Sequence, residues 1–231
     1  MQKLNIHCLQ HAPHEGAGYI SNYAQEYGHS LSFTKFYKNE KPPELNSFDV
    51  LLIMGGSMGV NDENKFPWLK NEKKFIGEAI KNKKKILGIC LGSQMLAAVL
   101  GARVFQNSEP EIGFFPVFKK SANVLFKNFP DTSVVFQWHG DTFDLPQGAE
   151  LLASSEACVN QAFMVGSNIL ALQFHLEITE ELLKGFLKSG KDELLPKRYI
   201  QTEESIINGF KFIPTCNLLL EELLKKFLND S

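Results

Sequence analysis

The sequence predicts an α/β fold: a doubly wound, mostly parallel sheet with a small antiparallel β addition and C-terminal helices. Three observations carry that prediction. Up to Gly101, apolar runs of strand length alternate with helical patterns in the order β-α-β-β-α-β-α. The run Val50-Leu51-Leu52-Ile53 has no polar alternation, as a parallel strand covered on both faces requires. After Gly101 the texture changes to short strands split by turns, which favours antiparallel pairing.

Each element has a local reason. Residues 4–9 read as a first buried strand. The segment 10–18, with Pro13, Gly16 and Gly18, breaks it; a helix follows over 19–27 with Gly28 as its cap. A second strand is expected over 31–37, and Pro42-Pro43 mark a loop. The third strand, 48–54, runs into Gly55-Gly56-Ser57-Met58-Gly59. Over 67–82, Pro67 suits a first helical turn, and Trp68, Leu69, Phe75, Ile76, Ala79 and Ile80 form one apolar stripe. The lysine-rich stretch 81–85 suits a helix C-terminus and reads as solvated surface. Residues 86–89 make the next strand, and Cys90 opens a helix closed by Gly101. Short strands are expected at 104–105, 114–118, 134–137, 151–154, 161–165 and 169–174, with Gly166-Ser167-Asn168 as a hairpin turn. Thr179 caps a helix over 179–187, and Glu180 and Glu181 suit its first turn. Amphipathic helices near 203–208 and 216–228 complete the pattern.

Composition narrows the function. The 231 residues, 44% hydrophobic, suit one sizeable packed domain, 1–188, with a helical extension, 189–231, packed on it. A net charge of −2 points to neither nucleic acid nor an acidic membrane as partner. The first residues lack the long apolar run of a secretory leader, and no apolar run is long enough to span a bilayer. Cys8, Cys90, Cys158 and Cys216 are widely spaced, which argues against a disulfide framework or zinc knuckle and suits a reducing cytoplasm.

The organising stretch is Gly88-Ile89-Cys90-Leu91-Gly92-Ser93-Gln94. It reads as strand, sharp turn, helix, the form of the nucleophile elbow with cysteine at its centre. Small residues two positions either side let strand and helix come close. The helix start directs unpaired N–H groups and positive dipole toward the sulfur, a setting that suits a nucleophilic thiolate. Taken alone, the stretch also fits a buried cysteine in an ordinary turn. A cysteine nucleophile needs a base, and the base an orienting group. His175 and Glu177, two apart at the end of a strand, point the same way. The Gly55-Gly56 turn and the Leu91 N–H offer donors for an oxyanion. Singly, each has a plain reading: a buried structural histidine, a helix N-terminal charge, a flexible loop. His7, His11 and Glu15 are metal-ligating residue types close in sequence, but their spacing fits no standard zinc pattern; bordering a pocket is the expected role of that loop. Glu109 and Glu111, near Gly113, are candidates for contacting a substrate amine, with loop solvation as the default.

Together, Gly55-Gly56-Ser57, Gly88-Ile89-Cys90-Leu91-Gly92-Ser93-Gln94 and Gln173-Phe174-His175-Leu176-Glu177 resemble the class I (triad) glutamine amidotransferase family. The likeness is closest to the glutaminase domain of GMP synthase and its free-standing relatives, and it covers about residues 4–187. Trp138-His139-Gly140-Asp141 and Asn160-Gln161-Ala162-Phe163 sit where those relatives carry similar segments. The resemblance implies a flavodoxin-like core and no cofactor. It implies that Cys90 attacks the side-chain amide of glutamine, His175 moves the proton, and Glu177 orients His175. The Gly56 and Leu91 N–H groups would hold the oxyanion. Gln94 and the His139-Gly140 backbone would hold the amino-acid end, with Trp138 and Asp141 as walls; a packing Trp before a turn and a turn-capping Asp are the plainer readings. Leu176 stands where many members have Pro. The sequence after Ser189 is too short for a synthetase domain and carries no P-loop, so ammonia transfer would need a separate synthetase or acceptor protein. Two other expectations stay open: a hydrolase of γ-glutamyl peptides or amines, and a non-catalytic binding or regulatory module.

Overall fold

A computed structural model describes residues 2–229, so the outermost residues of both expected segments, 1 and 230–231, lie outside it. Strands β1 (Asn5–Gln10), β2 (Ser30–Lys35), β3 (Val50–Ile53), β4 (Lys85–Ile89) and β9 (Ile169–Leu172) are parallel, in the spatial order β2-β1-β3-β4-β9. Strands β8 (Ala162–Val165), β7 (Glu150–Ser154), β5 (Val104–Lys119) and β6 (Thr132–Phe143) continue the same sheet antiparallel. The sheet is doubly wound because its central strands are apolar on both faces. Ile6, Cys8, Val50 and Leu52 face one core with Tyr23 of α1 (Tyr19–Glu26) and Leu183 of α4 (Glu180–Ser189). Leu9, Leu51 and Ile53 face the other, with Leu69 and Ile76 of α2 (Trp68–Lys81) and Met95 of α3 (Leu91–Val99). Burying each such side chain contributes about 1.5–3 kcal/mol.

A short helix, α5 (Glu203–Asn208), and a long one, α6 (Ile213–Asn229), follow. Leu220, Leu223 and Phe227 of α6 join the same core as α1 and β1. The expected cap forms, Thr179 Oγ1 accepting from the Leu182 N–H at 3.2 Å, and Thr202, which the sequence reading did not single out, caps α5 by accepting from the Ser205 N–H at 3.2 Å. Among the described residues no helix is long and apolar enough to cross a membrane.

Three differences from the sequence reading matter. The expected strand 31–37 stops at Lys35 and tightens into a 3-10 turn over Phe36–Lys38. The separate strands at 104–105 and 114–118 are one strand of 16 residues, which takes up Pro110 in a register shift between Gln106 and Glu111. Strand 134–137 runs on through Phe143, so Trp138-His139-Gly140-Asp141 lies in β6, not at a turn. Pairing with β5, Glu111 opposite His139 and Gln106 opposite Asp141, overrides the turn chemistry of Gly140-Asp141.

Candidate active site

The carboxyl ends of β3, β4 and β9 lie side by side, because Ile53 pairs with Gly88 and Ile89 with Leu172. Ligands bind parallel sheets at this rim. Cys90 caps α3 at φ 53°, ψ −110°, a positive φ that costs a non-glycine residue about 1–3 kcal/mol. The flanking glycines are steric requirements. A Cβ on Gly88 would sit 2.5 Å from Gly92 O, and one on Gly92 would sit 2.1 Å from Ile53 O. The turn is held by Cys90 N–H donating to Leu172 O at 2.8 Å. The sulfur lies 3.6 Å from Trp138 O.

His175 leaves β9 and is fixed by its own N–H, which donates to Phe136 O at 2.8 Å. Its ring packs edge-on to Phe186, 5.2 Å between centroids, and is 1% exposed. Nδ1 donates to Glu177 Oε1 at 2.7 Å, so Nε2 is the free nitrogen. Nε2 makes no aligned hydrogen bond in this resting geometry. Burial alone would lower the proton affinity of the ring; the Glu177 carboxylate and the facing Cys90 thiol override it and hold the imidazole well above its ordinary range. The loop that carries Glu177 is pinned from both sides. Glu177 O accepts from the Tyr19 N–H at 2.8 Å. Asn217 of α6 donates to both Leu176 O and Ile178 O at 2.9 Å.

A cavity of about 320 Å³ opens over the sulfur, within the size range of small-molecule sites. Of the expected residues, Gly56, Cys90, Leu91, Gln94, Trp138, His139, Gly140 and Asp141 line it. Gln94 Nε2 is held by Gln173 Oε1 at 3.1 Å. Neither the Gly56 nor the Leu91 N–H finds a partner among the described residues. Lining residues that sequence reasoning did not assign to the site include Phe186, Gly190 and the carboxylate of Glu193; Glu15, in the loop expected to border a pocket, lines it too, and among the described residues no lysine or arginine does. Burial pushes Glu15 up to about 7, reinforced by Glu177 and Glu193 and opposed by His175 and His11. Burial, and then Asp62, also raises Asp141, against the pull of His139.

Two candidates that the sequence offered beside plainer readings do not reach the site. Glu111 does not reach the cavity. It is buried behind it, accepting from Gln161 Nε2 at 2.7 Å and Ser155 Oγ at 2.9 Å, with His139 Nε2 at 3.3 Å. Its place in a long strand, not a loop, turns it inward. His7 and His11 do not converge either: His7 bonds Ser32 and Thr34, while His11 bonds Glu72 and Gly55 O. Among the described residues no cluster could hold a metal ion.

Fold and rim define a class: a doubly wound α/β protein whose elbow cysteine lines a small cavity and neighbours a buried, carboxylate-held histidine. The chain belongs to the glutamine amidotransferase class-I family, whose model matches residues 16–188. It is 31% identical over 209 residues to the glutamine amidotransferase-like protein YfeJ of Salmonella typhimurium, covering 86% of this chain and 87% of that one. It is 32% identical over 160 residues to a glutamine-hydrolyzing GMP synthase subunit of Sulfurisphaera tokodaii, covering 66% of this chain and 82% of that one. A crystal structure of a glutamine amidotransferase from Thermotoga maritima superposes with a TM-score of 0.91 at 36% identity, over the full length of both chains.

Proposed function

We propose that this protein hydrolyses a γ-glutamyl amide, glutamine to glutamate and ammonia in the simplest case, through a thioester on Cys90. The observation that carries the reading is the meeting of Cys90, His175 and Glu177 at one rim beside the cavity. His175 Nε2 takes the thiol proton, and the sulfur attacks the amide carbon. The new oxyanion lies between the Gly56 and Leu91 N–H groups, both without other partners among the described residues. The C–N bond then breaks as His175 passes its proton to the departing nitrogen. Its raised proton affinity suits holding that proton between the two steps. Water attacks the thioester, gives its proton to His175, and releases glutamate and the free thiol. Glu177 keeps the ring oriented through its 2.7 Å bond to Nδ1. Gln94, Trp138, Asp141 and the His139-Gly140 backbone hold the amino-acid end of the substrate. Residues 1–188 carry this chemistry, in a reducing cytoplasm, with 189–231 bracing them.

One relative is named as part of a GMP synthase; by that analogy the ammonia passes to a separate synthetase or acceptor protein. A second reading has its own support. With Glu15, Asp141 and Glu193 lining the cavity and no lysine or arginine among the described residues there, the rim favours a γ-glutamyl amine whose leaving group is cationic. Purified protein given glutamine and a panel of γ-glutamyl peptides and amines decides between them. Ammonia from glutamine supports the first reading; amine release with glutamine inert supports the second. In both, Cys90→Ala is dead and a γ-glutamyl adduct maps to Cys90 in the wild type. Inertness toward every γ-glutamyl compound refutes the proposal and leaves the binding-module alternative.

A further inference from the structure

His11 and Glu72 lie outside the grouping that does the chemistry, yet both side chains are wholly buried. Glu72 stands on the inner face of α2, among Leu69, Ile76 and Ala79, where a hydrocarbon would pack without desolvating a charge. His11 Nε2 lies 2.7 Å from Glu72 Oε1, and Nδ1 lies 2.9 Å from Gly55 O. A carbonyl only accepts, so Nδ1 carries a proton. The ring packs beside the stacked pair Phe36 and Trp68, its centroid 5.7 and 5.6 Å from theirs and its plane within 6° and 14° of parallel.

Gly55 C=O and Gly56 N–H belong to one planar peptide unit. That unit is trans, so the two bonds point in opposite directions. A partner that fixes the oxygen therefore fixes the line of the N–H. That N–H has no other partner among the described residues, and Gly56 lines the cavity over Cys90. Two glycines in succession have no side chains to lock their own torsions. We infer that His11 and Glu72 are a positioning pair for the oxyanion site: they grip the Gly55-Gly56 peptide from behind and keep its N–H aimed at the substrate carbonyl oxygen. This rests on the proposed acyl transfer at Cys90. Burial would lower the proton affinity of the ring, but Glu72, and then the Gly55 carbonyl, reverse that and raise it.

The two ring nitrogens can be replaced one at a time. In His11→Asn the amide nitrogen stands near the place of Nδ1 and keeps the Gly55 bond. In His11→Gln it stands near Nε2, keeping Glu72 and losing Gly55. Two reactions are followed: acylation of Cys90 by p-nitrophenyl acetate, which needs the oxyanion donors, and its alkylation by iodoacetamide, which does not. His11→Gln is expected to acylate about 10- to 100-fold more slowly, part of the loss seen when an oxyanion donor is removed, with alkylation nearly unchanged. His11→Asn keeps most acylation, although its unpaired Glu72 makes it the less stable protein on heating. Wild-type acylation by His11→Gln, or a parallel fall in both reactions, overturns the inference. If His11→Gln does not fold, Glu72→Gln carries the test: a selective fall in acylation supports the pairing, and an unchanged rate overturns it. Wild type that ignores glutamine but reacts with p-nitrophenyl acetate refutes the substrate and not the pair. Wild type inert to both refutes the two together.

Discussion

Gly92→Ala tests the elbow most directly. The added methyl would lie 2.1 Å from Ile53 O, 2.7 Å from Ile53 C and 3.0 Å from Ile53 Cβ. An unstrained carbon–oxygen contact is about 3.3 Å. Helix α3 and the end of β3 must therefore part by about 1.2 Å. The obstacle is backbone in a central strand, so no rotamer change relieves it. Alanine gains about 1 kcal/mol of helix propensity over glycine, while overpacking costs about 1–3 kcal/mol and more against main chain. The net is a loss of up to about 2 kcal/mol, or as much as roughly 8 °C of melting temperature at this size. Catalysis suffers more. Cys90 and the Leu91 N–H ride on α3, whereas Gly56 follows β3, so the gap opens between the parts that must meet. A 1 Å misplacement costs about 100-fold. Thermal unfolding and γ-glutamyl amide turnover, measured well below the melting point, read the two effects separately. A variant with wild-type melting and turnover would refute the packing argument.

Gly77→Ala in α2 is the counterpart: its methyl would meet only Val99 Cγ1 at 3.6 Å, so a gain of about 0.5–1 kcal/mol in unfolding free energy is expected; a loss contradicts the packing given for that face. Glu15 binds its proton more tightly folded, at about 7, than in an unfolded chain near 4.5, so wild-type stability falls as pH rises through that window and levels off above it, by about 3 kcal/mol in all. Glu15→Gln removes this fall, and urea midpoints at pH 5 and pH 8 compare the two proteins; equal pH slopes would show that Glu15 is not strained. Asn217→Leu strips two loop carbonyls of their donor, at about 1–3 kcal/mol each if they stay dry. A fall in kcat larger than the change in KM is expected, and unchanged turnover would separate α6 from the loop it holds.

The elbow was legible because its chemistry is local. Gly88 and Gly92 are spaced by the geometry of one turn, and His175 and Glu177 stand two apart just past the end of β9, so a few residues in sequence carry the whole constraint. The core of the sheet was legible for a similar reason: Val50 to Ile53 can satisfy both faces only when covered on both. Trp138 to Asp141 stand out as cavity residues yet look like a turn, since the strand that straightens them is dozens of residues away in β5. Glu111 looks like loop because Pro110 precedes it; only the register shift shows the strand running through. Glu72 carries no local mark, and for Glu15 the sequence offers only a loop expected to border a pocket. Their burial follows from how β1, β3 and α2 come together, and a carboxylate in a short sequence window looks the same inside and out.

The Asn217 clamp has a consequence for how the molecule comes into being. The loop it grips follows the last strand, but the clamp itself sits on the final helix. A ribosome delivers every strand, the sulfur and the imidazole before it delivers the residue that steadies them. A nascent chain can thus lay down its whole sheet, and hold the His175–Glu177 loop through Phe136 O and the Tyr19 N–H, before α6 adds its two donors. The same order warns anyone trimming the protein to the matched span 16–188: such a piece omits both β1 and the brace.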